Sequence, residues 1–540
     1  MDARFPPPPC VGYFPGMSIS APPSETAFLL HHILGFDAQP EADTLAILEE
    51  VTRTAEAVLA PLDQGGDRIG ARLVDGAVIS PPGFTEAFHA YAQGGWIGIA
   101  ASEAHGGQGL PEVLGLAAFE SVSGANMAFG LCPMLTQDAI KLVATHGSQD
   151  QQRRFLEPMI TGKWTGTMCL TEPQAGSDLS GVRTRAVPTA DSGYAITGGK
   201  IFITWGEHGM AENILHMVLA RLPDAPPGSG GISLFAVPKL QADGSRNGVE
   251  CVSIEHKIGI HGSPTCVLQF EGAIGELIGV PHRGLPQMFA MMNAARLGVA
   301  MQGVAAAERA FRRAADFATQ RAQFGVAIVQ HPDVRRMLWT QRALALGGRL
   351  LTLYAALHQE SARGELLIPV AKSFCTDAGV EAASLGIQVH GGMGFVEETG
   401  AAQHWRDVRI TPIYEGTNGI QALTLLRRGV LRDQGAAALG LIDAIAPVLG
   451  EDAARARAAT EWLKQAEPRA AEAGASHYLP ILGLLTAGWL CAQVRAHPLA
   501  AASTRSAAGV FVDQILPRLG SHAAALCNPS AALMNDDLVA

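Results

Sequence analysis

A glutamate at position 415 stands in RITPIYEGTNGIQA (409–422), between Tyr414 and Gly416 and just ahead of a run with helical periodicity. Thr417 or Asn418 can cap that helix by accepting from its first unpaired N–H groups. A carboxylate placed there has no charge partner in sequence, so it is either a solvated surface acid or a base held for proton transfer. Three other stretches could meet an anion or a planar ring. MCLTEPQAGSD (168–178) leads an extended run into a Pro- and Gly-containing turn. It either exposes backbone N–H groups and small hydroxyls to a ligand or is an ordinary β-turn closed by Asp178. KIFITWG (200–206) sets Phe202 and Thr204 on one strand face and Ile201 and Ile203 on the other. The plain alternative for Phe202 is a core aromatic. RAQFG (321–325) and QVHGGMGF (388–395) offer the guanidinium fork of Arg321, suited to pyrophosphate, and glycines that let backbone approach a ligand closely. The alternative is a solvated helix-end charge and a helix C-cap.

These residues need elements to hold them. Residues 25 to about 163 read mostly as helix, with apolar residues three and four apart in EADTLAILEEVTRTAEAVLAPL and a glycine-rich loop at 102–113. From about 164 to 280 the runs shorten and fill with Val, Ile, Thr and Phe. YAITGGKIFIT (194–204) reads as a hairpin around Gly198-Gly199, and DAPPGSGG as a loop. Long helical periodicity returns from about 284 to 430, as one or two helices through 325, then another, then a third stopped by Gly391-Gly392. The last 110 or so residues, rich in alanine and leucine, suggest a helical appendage without a readable motif. The order is not a βαβ alternation, and no GxGxxG follows a strand.

Composition narrows the class. The chain has 540 residues, 48% hydrophobic and 16% charged, enough for several packed domains. A net charge of -11 argues against nucleic acid as a partner. The 8 cysteines are scattered without a CxxC pair, so no metal is expected and free buried thiols are. No uninterrupted apolar run long enough for a membrane span is seen, and the N-terminus lacks a secretory signal. Residues 1–16, with Pro6 to Pro9, are either a disordered extension or an upstream misassigned start.

In order, and over about residues 85–430, the four motifs resemble the acyl-CoA dehydrogenase family. The resemblance implies an α+β, mainly α fold: an extended or disordered 1–24, an N-terminal helical domain 25–163, a middle β-barrel-like domain 164–283, a C-terminal four-helix bundle 284–430 and an additional helical domain 431–540. It implies FAD as cofactor. Met168, Leu170 and Thr171 would face the isoalloxazine, Ser177 would bond the pyrophosphate and contact substrate, and Phe202 and Thr204 would stand against the ring. Many members carry tryptophan at the Phe202 position. Arg321, Phe324, Gln388 and Gly392 would bind the FAD held mainly by a neighbouring subunit, in a homodimer or dimer of dimers. Pro332 stands where the family often has glutamine. Thr417 would also bind cofactor. Arg296, Tyr414 and Gly416 would contact an acyl-CoA substrate, with Asn293 replacing the acid usual three residues before Arg296.

The resemblance makes Glu415 the base that removes the α-proton of the thioester. A free glutamate, with a pKa of about 4.3, is far too weak for that. Burial beside an apolar chain raises the base, and hydrogen bonds to the thioester carbonyl stabilise the enolate. The length and the strings HPDVRRML, KIGIHGSPT and IYEGTNGIQA resemble an extended branch that includes 3-methylmercaptopropionyl-CoA dehydrogenases. An electron-transfer flavoprotein would accept the electrons, and the location expected is cytoplasmic. Two rivals are an acyl-CoA oxidase reoxidised by oxygen and a non-catalytic FAD- or acyl-CoA-binding protein.

Overall fold

The computed structural model describes residues 19–191, 193–529 and 533; the reading of residues 1–16 lies outside them. The chain divides into two compact units, Met1–Thr52 with Leu116–Gly124 and Arg296–Ala540, and Arg53–Gly115 with Ala125–Ala295.

The second unit holds a seven-stranded sheet: Trp164–Cys169 (β1), Arg185–Pro188 (β2), Tyr194–Thr204 (β3), Asn213–Arg221 (β4), Ile232–Pro238 (β5), Val249–Ile254 (β6) and Thr265–Ile278 (β7). Pairing runs β1-β4-β2-β3-β7-β5, and β5 pairs back onto β4, so five of the strands close a ring. β4 reads NILHMVLAR and is buried at all but its last residue, as a central strand covered on both faces must be. Phe235, Phe270, Ile196, Val218 and Leu268 fill the interior.

The hairpin expected within 194–204 is not there. β3 is one continuous strand of 11 residues, antiparallel to β7 with Gly198 opposite Phe270. The two glycines serve close approach instead of a turn. A Cβ on Gly198 would lie 2.5 Å from the Thr184 hydroxyl and 2.8 Å from the Thr184 Cα. A bulge between Lys200 and Ile203 leaves Ile201 and Phe202 outside the ladder.

In the first unit the helices are long. Gly284–Gln320 (α1) is a single helix of 37 residues that runs on into this unit. Pro332–Leu357 (α2) starts on a proline at its first position, where the missing N–H costs nothing. Ala362–His390 (α3) ends at Gly391, whose φ of +60° supplies the left-handed stop. Asn418–Thr424 (α4) follows the Glu415 turn. The C-terminal residues form further helices, the longest Pro468–Ala496 (α5). Buried charge ties this unit together. Arg349 makes a two-pronged contact with Glu120 at 2.7 and 2.6 Å and reaches Glu308 at 3.0 Å and Glu25 at 3.2 Å. Arg342 also bonds Glu25 and Glu308, and Thr504 donates to Glu25. Each carboxylate is matched by a guanidinium, which is what burial of charge requires.

α5 qualifies the expectation that no segment has the length and apolarity of a membrane span. It meets both measures, while 67% of its most apolar window is buried in the protein. Of the described cysteines, Cys132, Cys169, Cys251, Cys266, Cys375 and Cys491 are buried free thiols, and Cys527 is half-buried. Among the described residues no group of three or more His, Cys, Asp or Glu is arranged to hold a metal.

Candidate active site

Residues 409–414 turn tightly, with the N–H groups of Ile413 and Tyr414 both donating to the Ile410 carbonyl. The next two residues are left-handed: Glu415 at φ +56° and Gly416 at φ +85°. For glutamate this conformation is uncommon and costs free energy, so it persists only where surroundings impose it. The surroundings are buried donors. Gln421 donates to the carbonyls of Glu415 and Gly416, at 3.1 Å each. The Arg296 Nε–H, from α1, reaches the Glu415 carbonyl at 3.5 Å, and the Lys372 ammonium, from α3, donates to the Gly416 carbonyl at 2.9 Å. Thr417, rather than Asn418, caps α4, accepting from the Ile420 N–H at 3.3 Å. Tyr414 donates its phenol to Gln302.

The electrostatics of this pocket favour a proton acceptor of unusual strength. Desolvation by burial raises the Glu415 carboxyl above the ordinary carboxylate range, while the Arg296 and Lys372 charges pull it back. Burial pushes Lys372 down to about 7, with Glu415 and Asp377 opposing the shift and Arg296 adding to it. Lys372 and Gln421 were not singled out from the sequence. Lys372 is the lone cation within the apolar IPVAKSFC, and that was its only signal.

The nominated ring-facing residues of the barrel unit sit on β1, β3 and the loop after β1. Leu170 is buried, Met168, Thr171 and Thr204 are half-buried, and Ser177 is exposed. Phe202 is 57% exposed, with a left-handed φ of +60°. Its bulge turns a bulky aromatic out of the strand instead of into the core, so the core reading of Phe202 does not hold. Beneath lies an ion pair that sequence reasoning missed. Lys200, fully buried, donates to Glu172 at 2.8 Å and to the Leu170 carbonyl at 2.9 Å. Glu172 also accepts from the N–H groups of Arg183 and Thr184 and from the Thr184 hydroxyl. Burial works against its charge, but Lys200 and these donors hold the carboxyl down at about 2. The pair ties the loop after β1 to β3. An exposed aromatic, a threonine hydroxyl and an open turn are a donor set that fits a flavin ring and its phosphates.

A third group lies at the far end of the helical unit. Arg321, Phe324, Gln388 and Gly392 are all exposed, Phe324 at 95% and with φ +54°. Ala318, Ile328, Leu338 and Val389 pack together there, joining the ends of α1 and α3 to the start of α2, and Phe317 stacks on His390 at 4.5 Å. A Cβ on Gly392 would meet nothing within 4 Å, so the glycine leaves open space. From Lys372 to the end of α3 is 18 residues, or about 27 Å of helix. Within one chain, therefore, Glu415, Tyr414, Gly416, Thr417 and Arg296 are gathered, and this third group is held apart from them.

Comparison with known proteins follows the same lines. Residues 41–163, 167–273 and 282–430 match the N-terminal, middle and C-terminal domains of acyl-CoA dehydrogenases. The chain is 48% identical to a 3-methylmercaptopropionyl-CoA dehydrogenase of Ruegeria pomeroyi, over 86% of each sequence. Among solved structures, butyryl-CoA dehydrogenase from Megasphaera elsdenii is 27% identical with a TM-score of 0.63, covering 70% of this chain and 96% of its own. An acyl-CoA dehydrogenase from Bacillus anthracis complexed with FAD shares the fold at 20% identity and a TM-score of 0.75, covering 94% and 93%. The chain belongs to the acyl-CoA dehydrogenase family, FAD-dependent oxidoreductases acting on CH–CH bonds.

Proposed function

We propose that this protein removes the α-proton and β-hydride of a saturated acyl-CoA to give the trans-2-enoyl-CoA, with Glu415 as the base. The observation that carries the reading is the Glu415 turn: its backbone is left-handed, three buried donors bond the carbonyls of Glu415 and Gly416, and burial raises the carboxyl pKa. Bound FAD supplies the two-electron acceptor for the β-hydride at N5. The Glu415 carboxylate takes the α-proton, and its own N–H would donate to the thioester carbonyl as negative charge builds there. Arg296, Tyr414 and Gly416 shape the thioester end of the pocket. Met168, Leu170, Thr171, Phe202 and Thr204 hold the flavin ring and Ser177 the pyrophosphate. Thr417 contacts the cofactor beside the base.

The substrate we favour is 3-methylmercaptopropionyl-CoA or a short- to medium-chain acyl-CoA, on the strength of the 48% identical relative. An electron-transfer flavoprotein accepts the electrons, and the enzyme works in the cytoplasm. The separation of Arg321, Phe324, Gln388 and Gly392 from Glu415 supports a homodimer, or a dimer of dimers, in which this group serves the cofactor of the other subunit.

The test is flavin bleaching. Purified enzyme mixed anaerobically with a panel of acyl-CoAs is expected to bleach with its true substrate. Glu415→Gln should bind the same acyl-CoA yet bleach at least about 100-fold more slowly, the usual scale of a general base. Turnover above a few per cent of wild type in that variant removes Glu415 from the role. An oxygen-dependent burst of peroxide would favour an oxidase.

A further inference from the structure

The side chains behind the Glu415 turn form a network that the family comparison does not account for. Lys372 is fully buried on α3 and donates to the Gly416 carbonyl at 2.9 Å and to the Asn418 amide oxygen at 3.0 Å. Asn418 is oriented in turn: its amide N–H₂ donates to Asp377 at 2.9 Å and to the Thr376 hydroxyl at 3.1 Å. Lys372 and Asp377 thus flank one amide on the same helix, one donating to it and one accepting from it. Asp377 and Asn418 also line an open cavity of about 400 Å³, together with Leu479 and Pro480 of α5 and Arg518. Arg518 makes a two-pronged bridge to Glu381, one turn beyond Asp377, at 2.7 and 2.8 Å. An ammonium taken wholly out of water is expensive unless its bonds are satisfied and its charge has a use. Two acceptors satisfy two of its three N–H groups, and the carboxylates that act on it are Glu415 and Asp377.

We infer that Lys372, aimed by Asn418 and Asp377, is a positioning residue for the base: it holds the left-handed Glu415-Gly416 turn and its charge stabilises the ionised carboxylate. The inference rests on Glu415 being the base. The chemistry is consistent in sign. A cation near the carboxylate keeps it ionised at a lower pH than burial alone allows, so the base is available over a wider range. The charged and titratable groups that bear on the carboxylate are Arg296 from α1, Lys372 from α3 and Tyr414 beside it; Asp377 and Arg296 act on Lys372, and Arg428 acts on Arg296. Because Arg296 remains in place, removal of Lys372 shifts the base rather than abolishing it.

The experiment uses the full-length holoenzyme with Lys372→Met, which keeps the length and loses the charge. The variant is expected to purify yellow, with FAD content and affinity for the enoyl-CoA product within about threefold of wild type, read from the change in the flavin spectrum on binding. Single-turnover bleaching is expected to slow by roughly 10–100-fold, as for a displaced catalytic group. The low-pH limb of that rate is expected to move upward by roughly one unit, because an opposite charge has been removed. A purely structural lysine would leave the limb where it was, and an unmoved limb overturns the proposal whatever the rate. If Lys372→Met does not retain flavin, Asn418→Ala is judged on the same two readouts, since it removes one acceptor and spares the Thr417 cap. An unmoved limb and unchanged rate there overturn the proposal equally. Glu415→Gln is run beside them. Turnover in that variant defeats the base reading, whereas an inactive Glu415→Gln beside an unaltered Lys372→Met defeats only the role of Lys372.

Discussion

Glu415, Phe202 and Phe324 share a backbone feature: each is a non-glycine residue with positive φ. Two are bulky aromatics, for which that region is a genuine outlier. Strain of this kind costs of order 1–3 kcal/mol per residue and persists where function or packing demands it. Phe202 gives the clearest test, because it is exposed and pairs with nothing in the ladder. Phe202→Gly relieves the strained φ, so the melting temperature of the flavin-free protein is expected to be unchanged or slightly higher. Flavin affinity is expected to fall roughly tenfold with the loss of the aromatic wall. Titration of apoprotein with FAD separates the two effects. The motifs made these residue types legible in sequence. Their conformations were not legible, because φ at 202 and 415 is imposed by a bulge against β7 and by donors far away in the chain.

At the scale of elements, long periodic segments were read well and glycine pairs poorly. The helices over 41–54 and 362–390 lie in the runs that periodicity and the Gly391-Gly392 stop mark. Gly198-Gly199 was misread as a turn because a flexible pair and a pair that admits close backbone contact look alike in sequence. Gly198→Ala is therefore expected to destabilise the barrel unit by about 1–3 kcal/mol, the scale of an overpacked site. Chemical unfolding followed by the fluorescence of Trp205, buried in the same unit, would report it. A cost below a few tenths of a kcal/mol would restore the turn reading. The Lys200–Glu172 pair is not legible for a related reason: 28 residues separate its members, and the loop after β1 meets β3 only in the folded unit.

For the molecule as a whole, the proposal with the largest consequence is that Arg321 and Glu415 of one chain serve different cofactors. Co-expression can decide it. Arg321→Ala and Glu415→Gln chains, each nearly inactive alone, are combined with different tags and the heterodimer is isolated. Shared sites restore one intact site per dimer, so about half the wild-type activity is expected by the geometry of symmetric dimers. Self-contained sites leave both defective, and the heterodimer no more active than either parent.

Sequence alone determined the order of helical, β and helical regions, the four motifs and the candidate for the base, because each is written in local periodicity or in contiguous residues. Its net charge of -11 and its scattered cysteines were also plain in the sequence, because composition and spacing need no fold. The tertiary structure decided what makes these residues more than a motif. It set Glu415 in a left-handed turn, buried Lys372 behind it and turned Phe202 outward. It also carried Gln388 about 24 Å from Lys372 along α3. Those properties depend on burial and on partners that the fold brings to the Glu415 turn from 44 and 119 positions away, and no local pattern records them.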